Sequence, residues 1–111
     1  MLMKFFLNIF FLCVISYSKA IAYEVETHTI EIINHKFVPN IIEGSQGKVI
    51  KLEINNKDKT VEEFESFDLK REKIVPGNKK IVITVGPLKK GEYVFFGEFH
   101  QETAQGKLII K

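Results

Sequence analysis

Residues 91–111 read GEYVFFGEFHQETAQGKLIIK, and this stretch decides the fold. Tyr93, Phe95 and Gly97 share one parity, and 107–111, KLIIK, is a short apolar run between lysines. Alternation of period two in aromatic and β-branched residues marks both ends as strands. The polar loop between them carries Glu98, His100 and Glu102, and it is where a histidine and carboxylates crowd beside aromatic strands.

Working back from that stretch, residues 80–85 predict a strand closed by Gly86 and Pro87. Pro76-Gly77 predicts a type II turn, with Pro at its second position and Gly supplying a positive φ. Residues 60–69 predict a strand with Glu62, Phe64 and Ser66 on one face and Glu63, Glu65 and Phe67 on the other; a charged patch at 70–73 leads on to Ile74 and Val75. Residues 49–55 alternate Ile50, Leu52 and Ile54 against Lys51 and Glu53, a half-buried strand. Residues 37–42 form a short strand whose Pro39 cannot donate to a ladder, so it is an edge strand or a strand start. Residues 23–33, rich in Thr, Ile and Val, form the first strand and contain His28, with a break at Asn34-His35-Lys36. Seven or eight short strands with regular turn signals predict an all-β sandwich, and no segment carries a sustained helical stripe.

Residues 1–22 stand apart. A lysine, an almost wholly apolar run over 5–15 and the small-x-small ending Ala20-Ile21-Ala22 form a signal peptide, so residues 23–111 are the expected domain and the periplasm or the exterior its compartment. The full chain carries 16 basic and 14 acidic side chains. Cleavage removes Lys4 and Lys19 and no acid, which balances the two signs and points to neither nucleic acid nor an anionic membrane as a partner. It also removes Cys13 and both methionines, so the domain has no disulfide. A domain of this size buries roughly 60–65% of its unfolded surface, so Val, Ile, Leu and six Phe carry the core, and Tyr93, Phe95, Phe96 and Phe99 are expected in it. The domain offers no cysteine nucleophile, no Gly-rich phosphate loop and no Ser-His-acid pattern.

The residues permit one chemistry. Glu63 and Glu65 place two carboxylates on one strand face, about 6.5–7 Å apart along the chain. Glu98 and His100 add a carboxylate and an imidazole from the last loop. Brought together, they are a hard donor set suited to Fe, Mn, Zn or Cu(II). The other reading of Glu63 and Glu65 is a solvated face paired with Lys70, Arg71 or Lys73. His35 is a candidate for a second, separate metal site, or the partner of a turn.

The order Tyr93-x-Phe95, His100, Gly106 and a final strand, preceded by Phe37-x-Pro39, Gly47, Asn55 and Pro76-Gly77, resembles the cupredoxins over nearly all of residues 23–111. The resemblance implies a Greek-key cupredoxin-like β-sandwich. It places Glu62, Gly97 and Ala104 where blue-copper members carry His, Cys and Met, and leaves His100 as the one matching ligand. A blue copper site needs a thiolate, so type 1 copper is not expected. Glu62, if it points inward, needs a metal, a lysine or a hydrogen-bond donor.

The string Glu63-Phe-Glu-Ser66, Pro87-Leu88 and Gly91 through His100 is similar to the thiolate-free cupredoxin-like proteins associated with bacterial iron permeases, such as the cupredoxin domain of EfeO and FtrB-type proteins. That similarity implies a periplasmic accessory of ferrous-iron uptake. Such a protein binds or helps to oxidise iron, with an iron or copper ion as its cofactor, beside an iron permease or another periplasmic iron-binding component. The candidate ligands are His100, Glu98, Glu63, Glu65, Glu62 and His35. A metal-free module that docks to a membrane partner, and a copper carrier using His28 or His35, are the alternatives.

Overall fold

A computed structural model describes residues 12–17 and 22–111. Residues 12–17 are exposed and without regular structure, and the rest of the expected signal peptide, apart from Ala22, lies outside the described residues. Among the described residues, no helix is long and apolar enough to cross a membrane.

The domain is a sandwich of nine strands: β1 Val25–Ile33, β2 Lys36–Val38, β3 Ile41–Gly44, β4 Val49–Asn56, β5 Glu62–Ser66, β6 Arg71–Val75, β7 Lys80–Val85, β8 Gly91–Gly97 and β9 Gln105–Ile110. One sheet has the order β2-β1-β4-β7 and the other β3-β9-β8-β5-β6. β1 runs parallel to β4 and β3 parallel to β9, and the remaining pairs are antiparallel.

Two of the nine strands arise where a single strand was expected or none was assigned. Residues 37–42 divide, because Pro39 and Asn40 carry the chain from one sheet to the other between β2 and β3. The charged patch after β5 is itself a strand: β6 pairs antiparallel with β5, Glu65 opposite Glu72. The expected type II turn also differs. Gly77 does not carry the positive φ; Asn78 does, at 57°. Gly77 is needed for space, since a Cβ there would collide with the Lys59 carbonyl group.

Alternating residues of both sheets fill the core. β4 contributes Ile50, Leu52 and Ile54, all buried, while β1 contributes Ile30 and Ile32. Phe37, Phe64 and Phe95 meet at its centre, with Phe95 centred 5.1 Å from each of the other two rings. Asn56, also buried, donates to the Thr60 and Val75 carbonyls and accepts the Asp58 N–H, so its amide is satisfied and it fastens the β4–β5 turn to the end of β6.

The free edges of β6 and β7 lie at the open side of the two sheets. Arg71 donates to the Thr84 carbonyl and Lys73 to the Val82 carbonyl, so cationic side chains from one edge cover acceptors of the other. Charged edge residues of this kind discourage pairing with a second chain.

Candidate metal-handling end of the sandwich

β5 begins the site. Its period-two pattern sends Glu62, Phe64 and Ser66 inward and Glu63 and Glu65 outward. Glu62 exposes only 2% of its side chain. A carboxylate buried in this way needs donors, and it has three. Oε1 accepts the main-chain N–H groups of Glu63 and Phe99, each at 2.9 Å, and Oε2 lies 2.6 Å from His100 Nδ1. The Phe99 donor comes from the 3-10 turn Glu98–His100 that follows β8.

Gly97 and Ala104 close the same space. They are joined by the Gly97 N–H to Ala104 carbonyl bond, and the Ala104 N–H reaches the His100 carbonyl. Gly97 has φ −93° and ψ 114°, ordinary extended backbone. Its glycine is required for room: a Cβ would stand 2.6 Å from Glu62 Cδ and 2.7 Å from Ala104 Cβ. Positions 62, 97, 100 and 104 therefore converge, as the cupredoxin resemblance implies, but a hydrogen-bonded carboxylate fills the space between them. A type 1 copper ion, the group this fold implies, does not fit: none of these four residues offers a thiolate, and Glu62 takes the volume such an ion needs.

His35 joins this end instead of forming a separate site. Asn34 and His35 are the two central residues of the β1–β2 hairpin, with φ 51° and 59°. Two such left-handed residues are what a two-residue hairpin of right-twisted strands demands. Asp58, in the β4–β5 turn, accepts both of their N–H groups, at 2.8 and 2.9 Å. The hairpin so held stacks the His35 ring on the His100 ring, centroids 3.6 Å apart and planes at 10°. Thr103 adds a bond from its hydroxyl to the His35 carbonyl. His28 lies elsewhere, on β1, paired with Glu26 at 2.6 Å, and that bond holds the Glu26 carboxyl below the usual carboxylate range.

The outward face of β5 presents a different group. Glu63, Glu65 and Glu72 each offer a carboxylate oxygen within 4.8 Å of the others. Glu98 approaches the same group from the loop and raises the carboxyls of both Glu63 and Glu65. A hydrogen bond shared with Glu72 pushes Glu63 up to about 7, with desolvation and the Glu72, Glu65 and Glu98 charges adding to it. Glu65 is raised first by desolvation and then by Glu72 and Glu98. Among the described residues, no lysine or arginine forms an ion pair with any of the four. Arg71 and Lys73 point instead at the β7 carbonyls.

Because the folded-state Glu63 carboxyl is raised above its unfolded value of 4.5, its stabilisation is complete below about pH 4.5 and is lost as pH rises through about 7. Urea midpoints measured across that window fall with increasing pH, and Glu63→Gln flattens the slope; an unchanged slope in that variant would show that other groups carry it.

The sequence-derived ligand set is thus divided. Glu62, His100 and His35 meet at the end of the sandwich, while Glu63, Glu65 and Glu98 gather on its outer face. Glu102 lines a shallow depression of about 500 Å3 with His35, Glu98, Phe99, His100 and Thr103. Phe95 is core, but Phe99 is 48% exposed on the rim of that depression, and Phe96 lies on the outer face against Phe67, rings 5.6 Å apart. Asp58 and Glu72 are not among the candidate ligands that the sequence offers. The Glu65–Glu72 pairing register is the signal that finds Glu72, and it exists only once β6 is recognised as a strand.

Comparison with known proteins agrees with this architecture. A family model described as cupredoxin-like domain matches residues 6–110. An uncharacterized protein of Rickettsia prowazekii (strain Madrid E) is 56% identical over 81 residues, which are 73% of this chain and 65% of that relative, so the chain spans just under two thirds of its length. Auracyanin A, a blue copper protein of Chloroflexus aurantiacus, superposes with a TM-score of 0.68 at 14% identity, covering 79% of this chain and all of that one. The metal-binding domain of the Cu(I)-exporting P-type ATPase CopA of Streptococcus pneumoniae D39 gives 0.69 at 12% identity, covering 83% of this chain and 91% of that one. At these identities the two structures speak for the fold alone. With a family model spanning almost the whole sequence, a sandwich of this topology and the four copper-ligand positions converging at one end, the chain belongs to the cupredoxin-like domain family.

Proposed function

We propose that the protein is an exported, cupredoxin-like accessory of ferrous-iron uptake, which binds iron on the outer face of β5 beside a membrane permease or another periplasmic iron-binding component. The observation that carries this reading is the carboxylate group Glu63, Glu65 and Glu72, with Glu98 close by and no basic partner among the described residues. Like charges at this spacing repel, and the raised Glu63 carboxyl means that near neutral pH a shared proton offsets the repulsion. A cation does the same more effectively. All-oxygen donors favour hard ions such as iron and manganese over Cu(I). Carboxylates also stabilise ferric iron more than ferrous, which suits a protein that accepts iron for transfer. The resemblance to permease-associated proteins supports the uptake context.

The test is an anaerobic titration of the full chain with Fe(II), Mn(II) and Cu(II). Saturable Fe(II) binding is expected, weakened about tenfold or more in a Glu63→Gln, Glu65→Gln double variant, because ligand charge count sets affinity at such sites. Binding that the double variant leaves untouched would remove iron from this face. A total lack of binding favours the second reading, a metal-free docking module. Exposed Phe99, beside a Glu62 carboxylate that protein donors already satisfy, is the observation behind that alternative.

A further inference from the structure

The stacked histidines form an arrangement that the carboxylate face does not explain. Each ring turns its Nδ1 to a carboxylate: His100 to Glu62 Oε2 at 2.6 Å, and His35 to Asp58 Oδ2 at 3.5 Å. Both carboxylates are held by main-chain donors, Glu62 by Glu63 and Phe99, and Asp58 by Asn34 and His35. An ionised carboxylate only accepts, so the Glu62 contact keeps the His100 proton on Nδ1. That leaves Nε2 with its lone pair free, as in histidines that bind a metal with a carboxylate behind them. Among the described residues neither Nε2 has a hydrogen-bond partner. Both rings line the depression to which Glu98 and Glu102 also contribute.

We propose that His35 and His100 jointly bind one borderline divalent transition ion, of the Zn(II) and Cu(II) class, through their Nε2 atoms at this rim. Imidazole nitrogen suits such ions. Glu62 and Asp58 are positioning residues. The ion sits outside the sandwich, not in the pocket that Glu62 fills. Parallel rings do not aim their lone pairs at one point, so the planes open as the ion enters. His35 is the ring that turns, being 40% exposed and held at Nδ1 by the longer contact. This site shares no residue with Glu63, Glu65 or Glu72, and it stands or falls independently of iron binding there.

Zn(II) is the probe, added to the chelator-stripped full chain while long-range 1H–15N spectra follow the three imidazoles. Metal-free His100 is expected as the Nδ1-protonated tautomer. One equivalent of Zn(II) then shifts the Nε2 resonances of His35 and His100 together and leaves His28 in place. His35→Asn, which tolerates the left-handed turn, abolishes the His100 shift at that concentration. Glu62→Gln keeps the shape of the side chain and weakens Zn(II) binding about 10–100-fold, the usual effect of removing the group behind a ligand. With Glu63→Gln and Glu65→Gln both present, the histidine shifts are unchanged. A shift of one histidine alone, no shift at all, a His35→Asn protein that binds as the wild type does, or loss of the shifts in the Glu63, Glu65 double variant would overturn the proposal.

Discussion

Glu62→Ala lowers the unfolding free energy by about 3–5 kcal/mol, from donors left without their acceptor and from the space the side chain vacates. Two terms add. The main-chain N–H groups of Glu63 and Phe99 and the Nδ1 of His100 lose their acceptor, and an unpaired buried donor costs about 1–3 kcal/mol. The space vacated by four heavy side-chain atoms also stays partly empty, because Phe64, Ala104 and the β8 backbone around it are fixed by both sheets. Glu62→Gln is the discriminating control. Its amide oxygen accepts the same two N–H groups, and its NH2 faces His100, whose neutral ring can become the acceptor. Its loss is therefore smaller, about 1–2 kcal/mol. Urea unfolding with unchanged m-values measures both. A loss below about 1 kcal/mol for Glu62→Ala would show that the three bonds hold nothing together. A domain of this size has roughly 5–10 kcal/mol in all, so Glu62→Ala consumes a large part of it. A loss of this size would mean that the Glu62 carboxylate, through its three hydrogen bonds, holds this end of the fold together.

How far the sequence carries depends on sequence separation. The alternation of Ile50, Leu52 and Ile54, and the parity that sets Glu62 against Glu63, are properties of a single strand, and β4 and β5 follow them residue for residue. The resemblance of residues 91–106 to a cupredoxin loop is also local, and it sets positions 97, 100 and 104 in one loop, which Glu62 joins from a strand 38 residues before His100. What stayed hidden is set by contacts between distant segments. Glu72 joins Glu65 only through the β5–β6 register. His35 reaches His100 because Asp58, 23 residues further along the chain, accepts its N–H and fixes a left-handed hairpin. Pro39 signals an edge but not that the chain changes sheets there. Phe99 has the hydrophobicity of a core residue, yet the 3-10 turn that delivers its N–H to Glu62 directs its ring to solvent. In each case a relation between distant segments overrides the local pattern.

Gly97→Ala destabilises the protein by about 1–3 kcal/mol, the usual cost of forcing a methyl into a packed site. The backbone does not oppose it, since Gly97 is already in the extended region open to any residue. The cost is steric: the new Cβ meets Glu62 Cδ at 2.6 Å, Ala104 Cβ at 2.7 Å and Glu62 Oε1 at 2.9 Å. Two of these three contacts belong to one side chain, and that makes the effect separable. With Glu62→Ala already in place, the carboxylate is gone and its volume can receive the methyl, leaving only the Ala104 contact. The Glu62→Ala, Gly97→Ala double variant should accordingly be more stable than the sum of the single changes by about 1 kcal/mol or more, within the range seen for residues in contact. Strict additivity would mean that position 97 is glycine for a reason other than the carboxylate beside it. Coupling of the expected sign would mean that residues 62 and 97 depend on each other: a glycine in place of the family's cysteine makes room for the glutamate, and the glutamate fills the space the metal would need.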